Sequence, residues 1–431
     1  MLIVAASMFN SARAQNYLST ALQAENWIAS AELKTKDGIQ WKVIPDAQNT
    51  SIETNLYKGS SGIILLYLEL YKSTKQQRYL AKIEQAANEL IAGQYTQNRN
   101  QAFTLYYGIA GNGFILNEIY KVTNNKRYLK AALKIVDILS DSAIIDHDKA
   151  NWGSNNAISM GTAGTGAFLL YADRELHHPK AKELAKKVGN YLIANAIKTP
   201  AGNNWVMVPD TLKSPIMPNF AYGAAGISYF LLQLYEQTGQ QLYLDEALKG
   251  VSFLNSISNE QGLIYHHSPD GKNLFYYGFC QGPAGTTHLY KKLYDVTKDE
   301  QYQQKIKLLA NTMLNKDLFD KNDKGIWNNV GQCCGTSGIG DYYLYLYHTY
   351  NDPRYLDAAK ALAAHLIEHS STDAHGIKWV QAESRARPND LVAQTGYMQG
   401  AAGVASFLIH LDGAIKGNLK FYNLPDNPFV N

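Results

Sequence analysis

Cysteine is scarce here, at three in 431 residues, and the odd number excludes a framework in which every thiol is paired in a disulfide. Charge is scarce too. Charged residues make up 18% of the chain against the usual quarter, and the formal +3 forms no basic stripe or run, so nucleic acid is not an implied partner. No segment reaches 18 uninterrupted apolar residues, which leaves no candidate for a membrane-spanning helix. Neither a Gly-x-Gly-x-x-Gly fingerprint nor a Walker lysine is present, so no phosphate cradle is indicated. A linker is also missing, because glycine, proline and charge are spread evenly. What is plentiful is apolar residue content, 46%, enough for a large core, and tyrosine, 30 residues, which suits the lining of a cavity as well as a core. The length allows two or three ordinary domains or one large toroid or barrel.

The amino terminus is a short apolar run from Met1 followed by Ala12-Arg13-Ala14, an Ala-x-Ala of the kind that signal peptidase cuts. A basic segment before the run is lacking. We expect residues 1–14 to be a signal peptide with a truncated start, and residues 15–431 to be one domain exported to the periplasm or the extracellular space. If the run is only a frayed first helix, the protein is cytoplasmic.

One pattern recurs seven times: two glycines three apart, then a largely apolar run. The copies start at Gly59, Gly108, Gly161, Gly223, Gly282, Gly335 and Gly400, spaced 49 to 65 residues apart. Such a period announces a repeat architecture whose units are too small to fold alone. Between the glycine turns lies a second, amphipathic helix, opened by Arg-Tyr-Leu or a variant at Tyr79, Tyr128, Tyr243, Tyr302 and Tyr355. An additional helix is expected over about 16–34. Short strands or hairpins are expected at Gly38–Trp41, Gly325–Trp327 and Gly376–Trp379, where glycine precedes β-branched and aromatic residues. The sum is an all-α fold, an α/α toroid of seven inner and seven outer helices, because a closed ring leaves no terminal repeat uncovered. The segments 259–277, with His266 and His267, and 383–395, rich in Arg, are expected as connections or as flaps facing a substrate.

In such a ring every glycine turn lies at the same end, so the residues beside the turns face one another. Cys280 stands two residues before Gly282, and Cys333-Cys334 stand directly before Gly335. A buried free cysteine is ordinarily a small hydrophobe. Three at matched repeat positions instead form a set of soft ligands suited to Zn2+, with a fourth position open for a thiol or an activated water. Three thiolates on a divalent ion leave a net charge of −1, which keeps a further bound thiol nucleophilic and makes the ion a poor Lewis acid for water.

Those seven turns, with Phe279-Cys280-Gln281-Gly282 and Cys333-Cys334-Gly335, resemble the lanthionine synthetase C-like family, over essentially the whole chain after the leader. The resemblance implies a zinc-dependent cyclase of the three-cysteine branch, considered the more activating. It also implies Michael addition of a substrate cysteine thiolate to a dehydroalanine or dehydrobutyrine, with a peptide or small thiol as partner and a separate dehydratase supplying the acceptor. Several family positions differ here. Tyr222 stands where the family has the histidine before the fourth-repeat glycine, and Ala157 stands where it has aspartate. Tyr276 and Phe279 replace the usual Arg and Trp, and Gln281 the usual tyrosine. Tyr222 becomes the candidate acid, alongside a packing role for the same ring.

Two other functions stay open at this level. One is a toroid that captures a thiol such as a cysteine peptide or glutathione without turnover. The other is a sugar-active enzyme, which needs two carboxylates at the mouth; Asp210 and Asp341 are the acidic residues near turns. His288 and His348 are expected as satisfied interior histidines, and His266 and His267 as bystanders that could swing toward a metal.

Overall fold

A computed structural model of the protein describes residues 16–93, 102–153, 155–208 and 214–429. The expected signal peptide, 1–14, and Asp210 lie outside the described residues. Among the described residues the chain forms fourteen helices that alternate between two layers. The outer layer holds α1 (Tyr17–Ser30), α3 (Gln77–Gly93), α5 (Lys126–Ser142), α7 (Ala181–Ala194), α9 (Gln241–Ile257), α11 (Glu300–Leu314) and α13 (Pro353–Glu368). The inner layer holds α2 (Ser60–Thr74), α4 (Ile109–Thr123), α6 (Thr162–Leu176), α8 (Ala224–Thr238), α10 (Pro283–Thr297), α12 (Thr336–Tyr350) and α14 (Ala401–Ile415). The expected toroid of seven inner and seven outer helices is therefore what forms.

Sequence pattern explains the two layers. In α3 the buried residues Tyr79, Ile83, Ala86, Ala87 and Leu90 form one stripe at helical spacing, and the opposite face is wet. In α2 every residue from Ser60 to Leu70 is buried, as suits a helix enclosed on all sides. Each inner helix packs on the next, and α14 packs on α2, which closes the ring. Outer helices pair with the inner helix just before them, except α1, which packs on α14, so the two ends of the chain complete the seventh pair. The first helix ends at Ser30, because residues 32–34 turn back as a strand.

That strand, β1 (Glu32–Lys34), pairs with β2 (Ile39–Trp41), and four similar antiparallel pairs follow. These are β3 (Ile144–Asp146) with β4 (Lys149–Asn151), β5 (Ile197–Thr199) with β6 (Gly202–Asn204), β7 (Ser371–Asp373) with β8 (Gly376–Lys378), and β9 (Val380–Ala382) with β10 (Leu391–Ala393). Three of them share a lock: Trp152, Trp205 and Trp379 each donate the indole N–H to the carbonyl thirteen residues earlier, near the end of the preceding outer helix. The strand expected at Gly325–Trp327 does not form. Asp323 Oδ1 accepts from Gly325 N at 2.7 Å and makes a turn, while Trp327 donates its indole N–H to Ala382 O.

The glycine turns owe their composition to a close approach. A Cβ on the second glycine of each turn would strike the carbonyl oxygen six residues earlier, as at Gly285 against Phe279 and Gly338 against Gln332. Only glycine lets the incoming loop lie that tightly on the first turn of the inner helix.

The loops meet in a belt. Tyr57, Tyr106, Ser159, Ala221, Cys280, Cys333 and Met398 each stand two residues before the first glycine of a turn. Each donates its N–H to the carbonyl of the next, at 2.8 to 3.2 Å, and Met398 donates to Tyr57. Seven main-chain hydrogen bonds thus run round the axis and close on themselves. The interior of the ring beneath the belt takes in the segment after α14: Gln233 donates to Pro425 O, Tyr106 to the Asp426 carboxylate at 2.9 Å, and Phe429 stacks on Tyr345.

Candidate metal centre

The belt makes Cys280 and Cys333 neighbours, joined by the bond from Cys280 N to Cys333 O at 3.0 Å. Cys334 follows in the chain, and the Sγ of Cys334 lies 2.9 Å from that of Cys280 and 3.4 Å from that of Cys333. All three sulfurs fall within 4.8 Å of one another. Sulfurs about 2.3 Å from a tetrahedral zinc stand roughly 3.8 Å apart; two of the pairs here are closer than that, so the three would spread by under about 1 Å to take such an ion. Cys280 and Cys333 are buried, whereas Cys334 is partly open. Hydrogen bonds from Cys280 and Cys334 hold Cys333 well below the usual thiol range. Cys280 is pushed well up through its hydrogen bond with Cys333, and Cys334 through its hydrogen bond with Cys280, with burial adding to both.

Above the sulfurs opens a cavity of about 530 Å³. The residue immediately before the first glycine of all seven turns lines it: Lys58, Tyr107, Met160, Tyr222, Gln281, Cys334 and Gln399. The walls come from the two segments singled out as connections or flaps. The first brings His266 and Tyr276, the second Glu383, Arg385 and Arg387, and Trp327 stands beside them. Arg385 Nε donates to Tyr276 Oη at 3.0 Å, and the Tyr276 ring lies 4.3 Å from that of His266.

Tyr222 thus reaches the cavity, as expected of a residue flanking a turn. Burial and then the charge of Cys333 push its phenol well above the ordinary tyrosine range, so it stays protonated. Gln281 also lines the cavity, is 1% exposed, and neither polar atom of its carboxamide finds a partner among the described residues. Ala157 is fully buried. Phe279 turns away from the cavity and packs on Phe220 and His288.

The histidines divide. His266 lines the cavity, with its Nδ1 2.8 Å from that of His267, and burial lowers its pKa to about 4. His288 is interior as expected: its Nδ1 meets Asp426 O at 3.1 Å, and burial lowers its pKa to about 4. His348 is not interior; it is exposed in the last turn of α12.

Asp341 has a different partner from the one a sugar site needs. It accepts from Gln332 Nε2 at 2.7 Å and lies 2.8 Å from His410 Nδ1, whose Nε2 is 3.0 Å from Glu69. All three are sealed beneath the belt on α12, α14 and α2. Burial raises the Asp341 pKa, while the two carboxylates overcome burial to push His410 up to about 10. Asp341 borders a small void of about 40 Å³, and among the described residues Glu383 is the one carboxylate in the large cavity's lining.

A sequence model of the lanthionine synthetase C-like protein family matches residues 50–422. The chain belongs to the lanthionine synthetase C-like family. The structure named nisin cyclase superposes with a TM-score of 0.64 at 14% identity, covering 88% of this chain and 92% of that one. Glutathione S-transferase LANCL1 of Danio rerio is 24% identical over 155 residues, which span 36% of this chain and 34% of that protein, so the chain matches about a third of that relative's length. A family 76 glycoside hydrolase superposes at a TM-score of 0.52 and 12% identity, over 93% of this chain and 78% of that one, and shares the fold alone. No described helix is long and apolar enough to cross a membrane.

Proposed function

We propose that this lanthionine synthetase C-like protein joins a cysteine thiolate to a dehydroalanine or dehydrobutyrine, forming a thioether ring in a peptide. Cys280, Cys333 and Cys334 would hold Zn2+. The observation that carries the reading is the convergence of three sulfurs from two turns on the floor of a cavity large enough for a peptide segment. Zinc in such a site lowers the pKa of a substrate thiol and so supplies a thiolate near neutral pH.

The remaining steps fall to the chain's own residues. The thiolate sulfur bonds to the β-carbon, the alkene pair shifts toward the carbonyl, and the α-carbon takes a proton. Tyr222 keeps its proton across the working range and faces the cavity, so it is our candidate donor. A carbanion beside an amide is a far stronger base than a phenolate, so the transfer runs downhill. The proton lost by the substrate thiol balances the one gained at carbon. A separate dehydratase would make the acceptor.

A second reading, thiol capture without turnover, is favoured by Ala157 and Tyr222, which leave no carboxylate at 157 and no imidazole at 222. Two experiments test them, and the second separates them. About one zinc per chain in the purified protein, lost in Cys280→Ala, is expected on both. A peptide carrying dehydroalanine and a free cysteine should then lose thiol faster than in buffer alone. No acceleration would leave capture standing and sink the cyclase. Tyr222→Phe should lower kcat by roughly 10²-fold or more, and an unchanged rate would remove Tyr222 from the chemistry.

A further inference from the structure

Four outer helices carry an extended strand from the hairpin that precedes them in the ring. β2 packs on α3, β4 on α7, β6 on α9 and β8 on α1. Where a glycine makes the contact, the seat is the same to the residue. Gly38 lies against Gln85 O and Glu89 N, Gly202 against Lys249 O and Phe253 N, and Gly376 against Gln23 O and Trp27 N. Those are the positions six and ten past the tyrosine near each helix start, Tyr79, Tyr243 and Tyr17.

On α13 the matching positions, counted from Tyr355, are Ala361 and His365. The hairpin due on this seat, before Trp327, does not form. Gly325 lies against Phe275 O instead. Trp327 stands thirteen residues past Leu314, where Trp152, Trp205 and Trp379 make their lock, but its indole N–H goes to Ala382 O at 2.9 Å. The seat opens on a cavity of about 500 Å³, lined by His365, Leu366 and His369 of α13 and by Phe319, Trp327 and Val380. Phe319 and Val380 are 38% and 37% exposed, and the Phe319 ring stacks on His365 at 3.8 Å between centroids. Among the described residues no carboxylate lines this cavity.

The cavity adjoins the one above the sulfurs. Trp327 lines both, and the second flap gives Arg387 to the one and Pro388 to the other. The bond to Ala382 O and the Tyr276 ring, 5.0 Å away, hold the indole in place as the partition. A peptide chain leaving the metal cavity past Trp327 therefore meets an apolar seat that on four other helices takes an extended strand.

We propose that an extended stretch of the substrate peptide occupies this seat on α13, a few residues along from the cysteine delivered to the sulfurs, and lays an apolar side chain against Phe319 and Val380. The inference rests on the peptide reading of the function and deepens it: the protein selects for a side chain near the reacting cysteine as well as for the thiol.

The probes are two labelled linear peptides, each with one cysteine, that differ only in carrying phenylalanine or serine a few residues from it. With the full-length protein, fluorescence anisotropy should show the phenylalanine peptide binding about 10-fold more tightly, as burial of one large apolar side chain provides. Val380→Asp puts a charge on the seat and should abolish the difference between the peptides. Phe319→Ala should reduce it, and carries the test if Val380→Asp does not fold. Equal affinities in the wild type, or a preference that persists in the folded variants, overturn the seat. The cyclase reading fails separately: a protein that prefers the phenylalanine peptide yet does not accelerate loss of thiol from a dehydroalanine peptide keeps the seat and loses the reaction.

Discussion

Two buried polar clusters sit on opposite sides of the same belt, and their chemistry is opposite. Glu69, His410 and Asp341 form a closed set: the imidazole between two carboxylates uses both nitrogens, and three inner helices are tied together across the seam where the ring closes. Cys280, Cys333 and Cys334 form a set of like groups with no opposite charge, placed where a cavity gives access. A cluster complete in itself stabilises; a cluster of donors awaiting a cation binds. Burial is common to both, so burial does not separate architecture from function. The presence or absence of a built-in counter-charge does.

Breaking the closed set should cost the most. In His410→Ala two buried carboxylates lose the cation between them, and denaturant unfolding should show about 3–5 kcal/mol less stability. Breaking the open set should instead cost binding. A structural zinc contributes about 10–16 kcal/mol over four ligands, so Cys280→Ala should weaken zinc by about 3–4 kcal/mol, roughly 10²–10³-fold, by chelator competition, with little change in the stability of the metal-free protein.

Alkaline pH should affect the closed set. The pKa of His410 is about 10 in the folded chain and about 6.5 in the unfolded one. Its contribution is complete below about pH 6.5 and drains away as pH rises through about 10. The stability gap between wild type and His410→Asn should therefore narrow from pH 7 to 9 by an amount on the order of 2 kcal/mol. A gap independent of pH would mean that His410 is not charged there. The smallest expected effect tests whether the clusters are separate. Gln332, next to Cys333 in the chain, donates to Asp341 and to Gly403 O. Gln332→Met should cost about 1–2 kcal/mol of stability and leave zinc stoichiometry unchanged.

Much of the ring could be read in advance because it is written locally. The glycine pairs mark every inner helix, the Arg-Tyr-Leu variants mark most outer ones, and the position of Cys280 and Cys333 relative to their glycines places two sulfurs side by side. Residues joined only by the ring's closure were not legible. Met398 lies 341 positions from Tyr57, whose carbonyl accepts its N–H, and Glu69 lies 341 from His410. Nothing near either in sequence names the other. One signal was present and unused: the residue before each first glycine gives the cavity floor, and it would have found Lys58, Tyr107 and Gln399 along with Tyr222 and Cys334. No strand forms at Gly325 because the Asp323 side chain competes for the backbone there.

The belt has a consequence for how chemistry can be altered in this scaffold. It uses main-chain groups alone, so it forbids proline at its seven stations and asks nothing else of the side chains, which here range from Ala221 to Tyr106. Across the seven stations one main-chain frame carries sulfurs, phenols, a hydroxyl, a thioether and a methyl group. A new reactive group could be fitted by exchanging one side chain, with the frame that aims it left as it was.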